Sequence, residues 1–443
     1  QSVSAQQIEL GNLAGREAAV RQGSSWGVPF EKGSVRKDAV FELSSDGVSV
    51  PVSTWPLACW PDGSLKWLGL ATVAEPGMNS LTLSVRPAPK RGRRTAKAEP
   101  AVTALAEQTA EGIRVNTGAM TCLFPASGGC FIKDMRLGDG TVVSAAELVA
   151  ILEKREGRTV EYEDFESAVS SVSVVHNTPM RAVVKVEGKH KSLTGSREWL
   201  PFKLFCVMYK DMATVSLTHS FLFDSDGKED HIKGIGVRFE VPFRDEVHNR
   251  HVRFEEGAGF WCQPVRLAPG YRPSAGSVFV DNYAEYLQGK RLPSVEELGE
   301  RERAAMLTCP VWGDMRLVQA GPNGFSIDKR TTDKSSWVHV TDGGRSIGGA
   351  LLGDTRGSVF VGVKDFWQSC PSALHVDRAG EDKGYLTAWL WAPDGEAMDM
   401  RHYDTVGHDL KINYEDFKEG WESPYGVGHR STLEIRLFDG IPS

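Results

Sequence analysis

Apolar and polar residues alternate with a two-residue period along most of this chain. The runs 39–43, 81–85, 171–175, 181–187, 203–208, 214–222, 234–241 and 358–363 carry it. A strand sends successive side chains to opposite faces, so this period predicts half-buried strands. Turn residues punctuate the runs, as at Ser45-Asp46-Gly47, Pro61-Asp62-Gly63 and Leu137-Gly138-Asp139-Gly140. The sharpest case is 385–391. Leu386, Ala388 and Leu390 form an aliphatic face, and Tyr385, Thr387, Trp389 and Trp391 an aromatic one. Helical spacing is confined to 145–153 and 294–305. The first fits a hairpin strand equally well, with 148–153 turning at Glu156-Gly157-Arg158. The pattern therefore predicts an all-β, mostly antiparallel chain.

One segment breaks the pattern. Residues 86–97, Arg86-Pro87-Ala88-Pro89-Lys90-Arg91-Gly92-Arg93-Arg94-Thr95-Ala96-Lys97, are basic, Pro-bearing and poor in large apolar side chains. They read as a solvated tether more readily than as a polyanion patch. The expected division is a small β domain over 1–86, a linker over 87–100 and a large β domain over 101–443. The large region exceeds an ordinary seven-strand sandwich and suits an enlarged one. It carries no short-period repeat, which argues against a propeller or solenoid.

Composition narrows the partners. The chain has 443 residues, 41% hydrophobic and 25% charged, with a net charge of -7. That balance is ordinary for a globular protein and makes nucleic acid an unexpected partner. No apolar run reaches membrane-spanning length. The first residue is Gln1 and no leader is visible, which fits a mature secreted or periplasmic protein. None of the seven cysteines forms a CxxC pair, so no zinc site is expected. Cys122 and Cys130 have a spacing that suits a hairpin disulfide, while Cys206 and Cys309 read as core residues.

The candidate chemistry clusters late. Trp367, Trp389 and Trp391 precede the polar run Asp399-Met400-Arg401-His402-Tyr403-Asp404. Aromatic platforms bind sugar rings, and Arg, His and Tyr together suit acidic sugars. Tyr385, Trp389 and Trp391 are platform candidates, unless both faces of their strand are buried and the rings fill a core. Tyr425, His429 and Arg430 offer a second acidic-sugar contact. In the small domain Trp60 and Trp67 bracket a turn and read as staples of a hairpin. Residues 224–230, Asp224-Ser225-Asp226-Gly227-Lys228-Glu229-Asp230, alternate carboxylates around a glycine, which leaves calcium as a possible ligand. The twelfth position of that loop is Ile235 rather than Glu, so an acidic hairpin turn is the plainer reading. No other cofactor is expected.

Several segments together resemble the exo-rhamnogalacturonan lyases of polysaccharide lyase family 26. Gly27-Val28-Pro29-Phe30-Glu31-Lys32-Gly33 and Trp60-Pro61-Asp62-Gly63-Ser64-Leu65-Lys66-Trp67-Leu68 resemble the family's small amino-terminal β-barrel. Asn177-Thr178-Pro179-Met180-Arg181, Asp328-Lys329-Arg330 with Trp337, Asp365-Phe366-Trp367-Gln368, Pro371-Ser372-Ala373-Leu374, the 399–404 run and Gly426-Val427-Gly428-His429-Arg430-Ser431 resemble its central β-sandwich. The resemblance implies a small barrel followed by a large sandwich, and a lyase acting on an acidic, rhamnose-containing polysaccharide or oligosaccharide. Family members continue into an α/α toroid that helps build the cleft, whereas this sequence stops at Ser443. A non-catalytic carbohydrate-binding or accessory module is therefore the second reading.

Uronate elimination needs the substrate carboxylate neutralised, the proton α to it removed, and the leaving oxygen protonated. On this reading Arg401 is the carboxylate clamp, His402 or His408 the base, and Tyr403 the acid. The same residues serve equally as a polar rim, with Arg401 paired to Asp399 or Asp404. A third reading, a glycoside hydrolase, would use a carboxylate pair such as Asp399 with Asp404 or Glu415.

Overall fold

The two-residue period folds as strand almost everywhere in the computed structural model. The structure describes residues 6–11, 19–78, 80–87, 103–269, 283–400 and 424–443. The amino-terminal part builds two small antiparallel sheets. One runs Gln6–Gly11, Ser80–Arg86, Val40–Ser45, Val48–Val50; the other runs Gln22–Pro29, Leu65–Ala74, Ser53–Cys59. Val28, Val35, Leu43, Leu65, Leu68 and Val85 fill the space between them, which gives a barrel-like domain. Trp60 ties the turn between Ser53–Cys59 and Leu65–Ala74 to the end of Gln22–Pro29, as its Nε1 donates to the Phe30 carbonyl at 3.0 Å.

The rest is a large antiparallel sandwich. Its first sheet runs, in order, Val338–Gly343, Gly324–Arg330, Asp314–Gly321, Ser372–Asp377, Lys383–Trp391, Asp230–Pro242 and Gly140–Glu156. The hairpin from Gly140–Glu156 to Thr159–Asn177 carries the chain into the second. That sheet continues through Arg181–Ser192, Glu198–Tyr209, Thr214–Leu222, Gly428–Phe438, Gly357–Val363, Gly349–Asp354, Arg250–Glu255 and Phe260–Pro264. One face of each sheet supplies the shared core. Leu148, Val237, Leu317, Leu374 and Leu386 come from the first, and Val184, Leu217, Leu352, Val361 and Ile435 from the second. Burial of alternate residues selects this register, because a one-residue slip would expose the whole set.

One open alternative is settled and two sequence expectations change. Residues 145–153 are strand, inside Gly140–Glu156: Ala146, Leu148, Ala150 and Leu152 face the core while Glu147 faces away. Pairing on both edges outweighs helix propensity there. The helix expected over 294–305 begins only at Glu300, as Glu300–Thr308. Cys122 and Cys130 are both free. The pairs Thr121↔Arg136 and Leu123↔Lys133 set Cys122 across from the middle of the next strand, away from Cys130. Cys122 is buried, and burial pushes its thiol up to about 12.

The two domains meet along a packed seam. Ala71 and Val73 of the barrel pack with Met180 and Met212 of the sandwich. Trp55 lies against His176 with ring centres 4.1 Å apart. Gly23 is required here, because a Cβ would fall 2.1 Å from the Tyr209 ring.

Candidate functional site

The outward face of the first sheet carries a row of polar residues. Successive register pairs are Glu147↔Arg238, Arg238↔Thr387, Thr387↔His375, His375↔Arg316, Arg316↔Asp328 and Asp328↔His339. Directly opposed residues share a face, so one side chain from each of seven adjacent strands lines up. At ~4.8 Å per strand the row is about 29 Å long. A neighbouring row adds Glu240, Tyr385, Asp377, Asp314 and Arg330. The inward neighbours of these residues are the aliphatic core, so strand alternation alone puts the charges on this side.

His375 stands in the middle. Its Nε2 is 2.9 Å from Asp394 Oδ2, and Asp394 Oδ1 accepts from Arg316 Nη1 at 2.6 Å. Burial alone would raise the Asp394 carboxyl, but the His375 hydrogen bond and the His375 and Arg316 charges hold it below its ordinary value. An ionised carboxylate only accepts, so whenever the ring is neutral its proton sits on Nε2 toward Asp394 and Nδ1 is the acceptor. No partner for Nδ1 stands among the described residues. In that form the imidazole is an oriented acceptor beside a guanidinium, an arrangement that can serve a base.

Two arginine–aromatic–arginine units flank it. On one side Arg316 and Arg330 stand 4.2 and 4.4 Å from the Trp337 ring centre. Both are anchored, Arg316 Nε on Asp328 at 3.1 Å and Arg330 Nε on Asp314 at 2.8 Å. On the other side Arg238 and Arg378 each lie 6.0 Å from the Tyr385 ring centre. The Tyr385 hydroxyl donates to Glu240 at 3.3 Å. Burial and the Glu240 charge raise its pKa, so it stays protonated through neutral pH. Burial, with Asp314 adding to it, raises the Asp377 carboxyl against the pull of His375, Arg238 and Arg330.

Trp389 occupies the next row, but as a packed residue. It is 5% exposed and sits with Val149, Val318, Ala373 and Ala392. Gly236 makes this possible, since a Cβ there would fall 2.9 Å from the indole. Gly236→Ala is expected to cost about 1–3 kcal/mol from overpacking. Urea denaturation with tryptophan emission as the readout checks this, and an unchanged midpoint would show that the indole is not confined.

The residues singled out in the sequence fall in different places. Leu386, Ala388 and Leu390 face the core as expected. The aromatic face does not extend to Trp391. The pairs Ile235↔Trp391 and Gly236↔Trp389 leave Leu390 as an extra residue, a β-bulge. Trp391 therefore turns toward the main core, its Nε1 donating to Glu396 O at 3.0 Å. Tyr385 is the one platform candidate that keeps an open, charged setting. His429 and Arg430 are exposed on the second sheet and Tyr425 on the turn that leads into it, across the core from His375. Arg401, His402, Tyr403 and His408 lie outside the described residues. In the acidic turn, Asp224 pairs with Lys189 and Asp230 with Arg197, so its carboxylates are engaged separately. Among the described residues no group of three His, Cys, Asp or Glu side chains is arranged to hold a metal ion. The sequence reading passed over His375, Asp377 and Asp394. The signal was present in Ser372–Asp377, where Leu374 and Val376 alternate with His375 and Asp377.

Comparison with known proteins gives matches over nearly the whole chain. Residues 6–86 match the PcRGLX-like N-terminal RIFT barrel domain, and residues 104–443 match the PcRGLX-like protein central beta sandwich domain. The uncharacterized protein YetA of Bacillus subtilis (strain 168) is 31% identical over 433 residues, covering 96% of this chain and 48% of YetA. The chain thus spans about half the length of that curated relative. Among solved structures, a glycosyl hydrolase family 38 protein from Enterococcus faecalis aligns over 99% of this chain and 45% of its own, with a TM-score of 0.46 and 8% identity. A putative aldose 1-epimerase from Escherichia coli K12 aligns over 73% of this chain and 98% of its own, with a TM-score of 0.32 and 10% identity.

Proposed function

Because the chain belongs to the PcRGLX-like family, which is related to rhamnogalacturonan lyases, we propose that it binds an acidic polysaccharide or oligosaccharide and contributes to its cleavage by β-elimination. The observation that carries this reading is the His375–Asp394 pair set between anchored guanidiniums on the polar row. Arg316 and Arg238 would meet the substrate carboxylate and stabilise the negative charge that develops when the α proton leaves. His375 Nδ1 would take that proton. The Tyr385 hydroxyl, one strand over, would protonate the departing glycosidic oxygen. Electrons from the broken C–H bond form the new C=C bond as the C–O bond breaks, so no external oxidant or water is consumed. Arg401, His402, Tyr403 and His408 stay in the proposal as further clamp, base and acid candidates. Export from the cell suits a polysaccharide substrate.

Elimination leaves a 4,5-unsaturated uronate that absorbs in the ultraviolet. Incubation with uronate-containing glycans, rhamnogalacturonan first, is expected to give rising absorbance. A flat trace with measurable binding would reduce the chain to a carbohydrate-binding module. New reducing ends without absorbance would point to hydrolysis instead.

A further inference from the structure

The outer face of the second sheet carries a groove of about 410 Å³ that the elimination chemistry does not use. Its floor is two directly paired glycines, Gly349 and Gly362, on adjacent strands. Phe360 leans over them: a Cβ on Gly349 would fall 2.8 Å from its ring, and one on Gly362 3.4 Å. Phe260, half exposed, meets Phe360 edge-on with centroids 6.3 Å apart. Glu434 continues the floor, paired with Gly362 on one side and Ser216 on the other. Lys364 and Thr432 complete the wall.

We propose that this groove is a second carbohydrate site, for a neutral pyranose. The missing Cβ atoms let the Phe360 ring lie down over the groove floor beside Phe260, and two such rings offer a surface on which the apolar C–H face of a sugar packs well. The polar groups around it are two carboxylates, one ammonium and two hydroxyls, a mixed set of donors and acceptors that matches sugar hydroxyls. Glu255, the second carboxylate, is already occupied by Ser346 Oγ and by the Gly257 and Ile347 amides. With Glu434 and Lys364 offsetting each other and no arginine in the lining, the groove lacks the charge to hold an acidic sugar. The arginine-rich row on the first sheet is its opposite in this respect, and the core separates the two.

Titration calorimetry of the whole chain with galactobiose, cellobiose and mannobiose tests the assignment, with digalacturonate as the acidic probe. At least one neutral disaccharide is expected to bind. Phe260→Ala and Glu434→Gln, both surface changes, should each weaken it by about tenfold, roughly 1.4 kcal/mol. His375→Asn should leave neutral binding unchanged, which keeps this test independent of the elimination reading. The assignment is overturned if no neutral disaccharide binds at millimolar concentration. It is equally overturned if binding survives both groove variants. Sedimentation showing a dimer that Phe260→Ala dissociates would make the groove a contact between copies of the chain.

Discussion

His375→Asn is expected to lower eliminative turnover by about 10²–10⁴-fold, the usual contribution of a positioned general base. Asparagine fills similar space and can still bond to Asp394, but it cannot take a proton. Binding of an acidic oligosaccharide should change only a few-fold, because the guanidiniums of Arg316 and Arg238 remain. The loss therefore falls on kcat rather than KM. Asp394→Asn should cost less than His375→Asn in turnover but should also weaken binding, since Asp394 anchors Arg316 as well as His375. The measurement is initial rate against substrate concentration, by ultraviolet absorbance, for both variants and the parent. Full activity in His375→Asn would remove His375 as the base. If His402→Ala then abolished turnover, the proton would pass to the run that begins at Arg401.

Folding stability is expected to hold above pH 6.5 and to fall steeply below it. Three histidines are buried as neutral rings. Burial lowers His190 to about 4 and His219 and His251 to about 3, with His190 and His429 adding repulsion at His219, and Arg253 and His248 at His251. The Nε2 of His190 and His219 and both ring nitrogens of His251 lack a hydrogen-bond partner, so each ring would gain little from a proton. In the unfolded chain they protonate near 6.5. The unfolded state thus binds more protons, and stability rises with pH across this window. Each ring contributes about 1.4 kcal/mol per pH unit between 6.5 and its folded value. Together they remove roughly 4 kcal/mol per unit, enough to exhaust a typical stability of about 5–15 kcal/mol within two or three units. Urea midpoints at pH 7.5, 6, 5 and 4.5 should fall accordingly. His219→Phe should flatten the slope by about one proton. Equal midpoints at pH 7.5 and 5 would mean that these rings are hydrated or protonated in the folded state.

Most strands could be read directly from the chain because their cause is local. Alternation through 385–390 is written in consecutive residues, and burial of Leu386, Ala388 and Leu390 follows from it. Resemblance of whole segments likewise carried the barrel and sandwich, since each segment keeps its own pattern. The same local logic fails at one position. The bulge at Leu390 arises from pairing with 235–236, some 150 residues away, and it turns Trp391 out of the aromatic face.

The polar row escaped for a related reason. Glu147, Arg238, Arg316, His375 and Thr387 are unremarkable where they stand in the chain, each a polar residue between apolar neighbours. They become a site only when long-range strand order brings them to one level across the sheet. Asp394 joins them from the turn after Lys383–Trp391, a placement that no spacing rule encodes. Local alternation dictates which side of a strand a residue takes, because side-chain direction is set by the backbone of that strand. Which residues meet is dictated by register between strands far apart in sequence, and that is a property of the packed core as a whole.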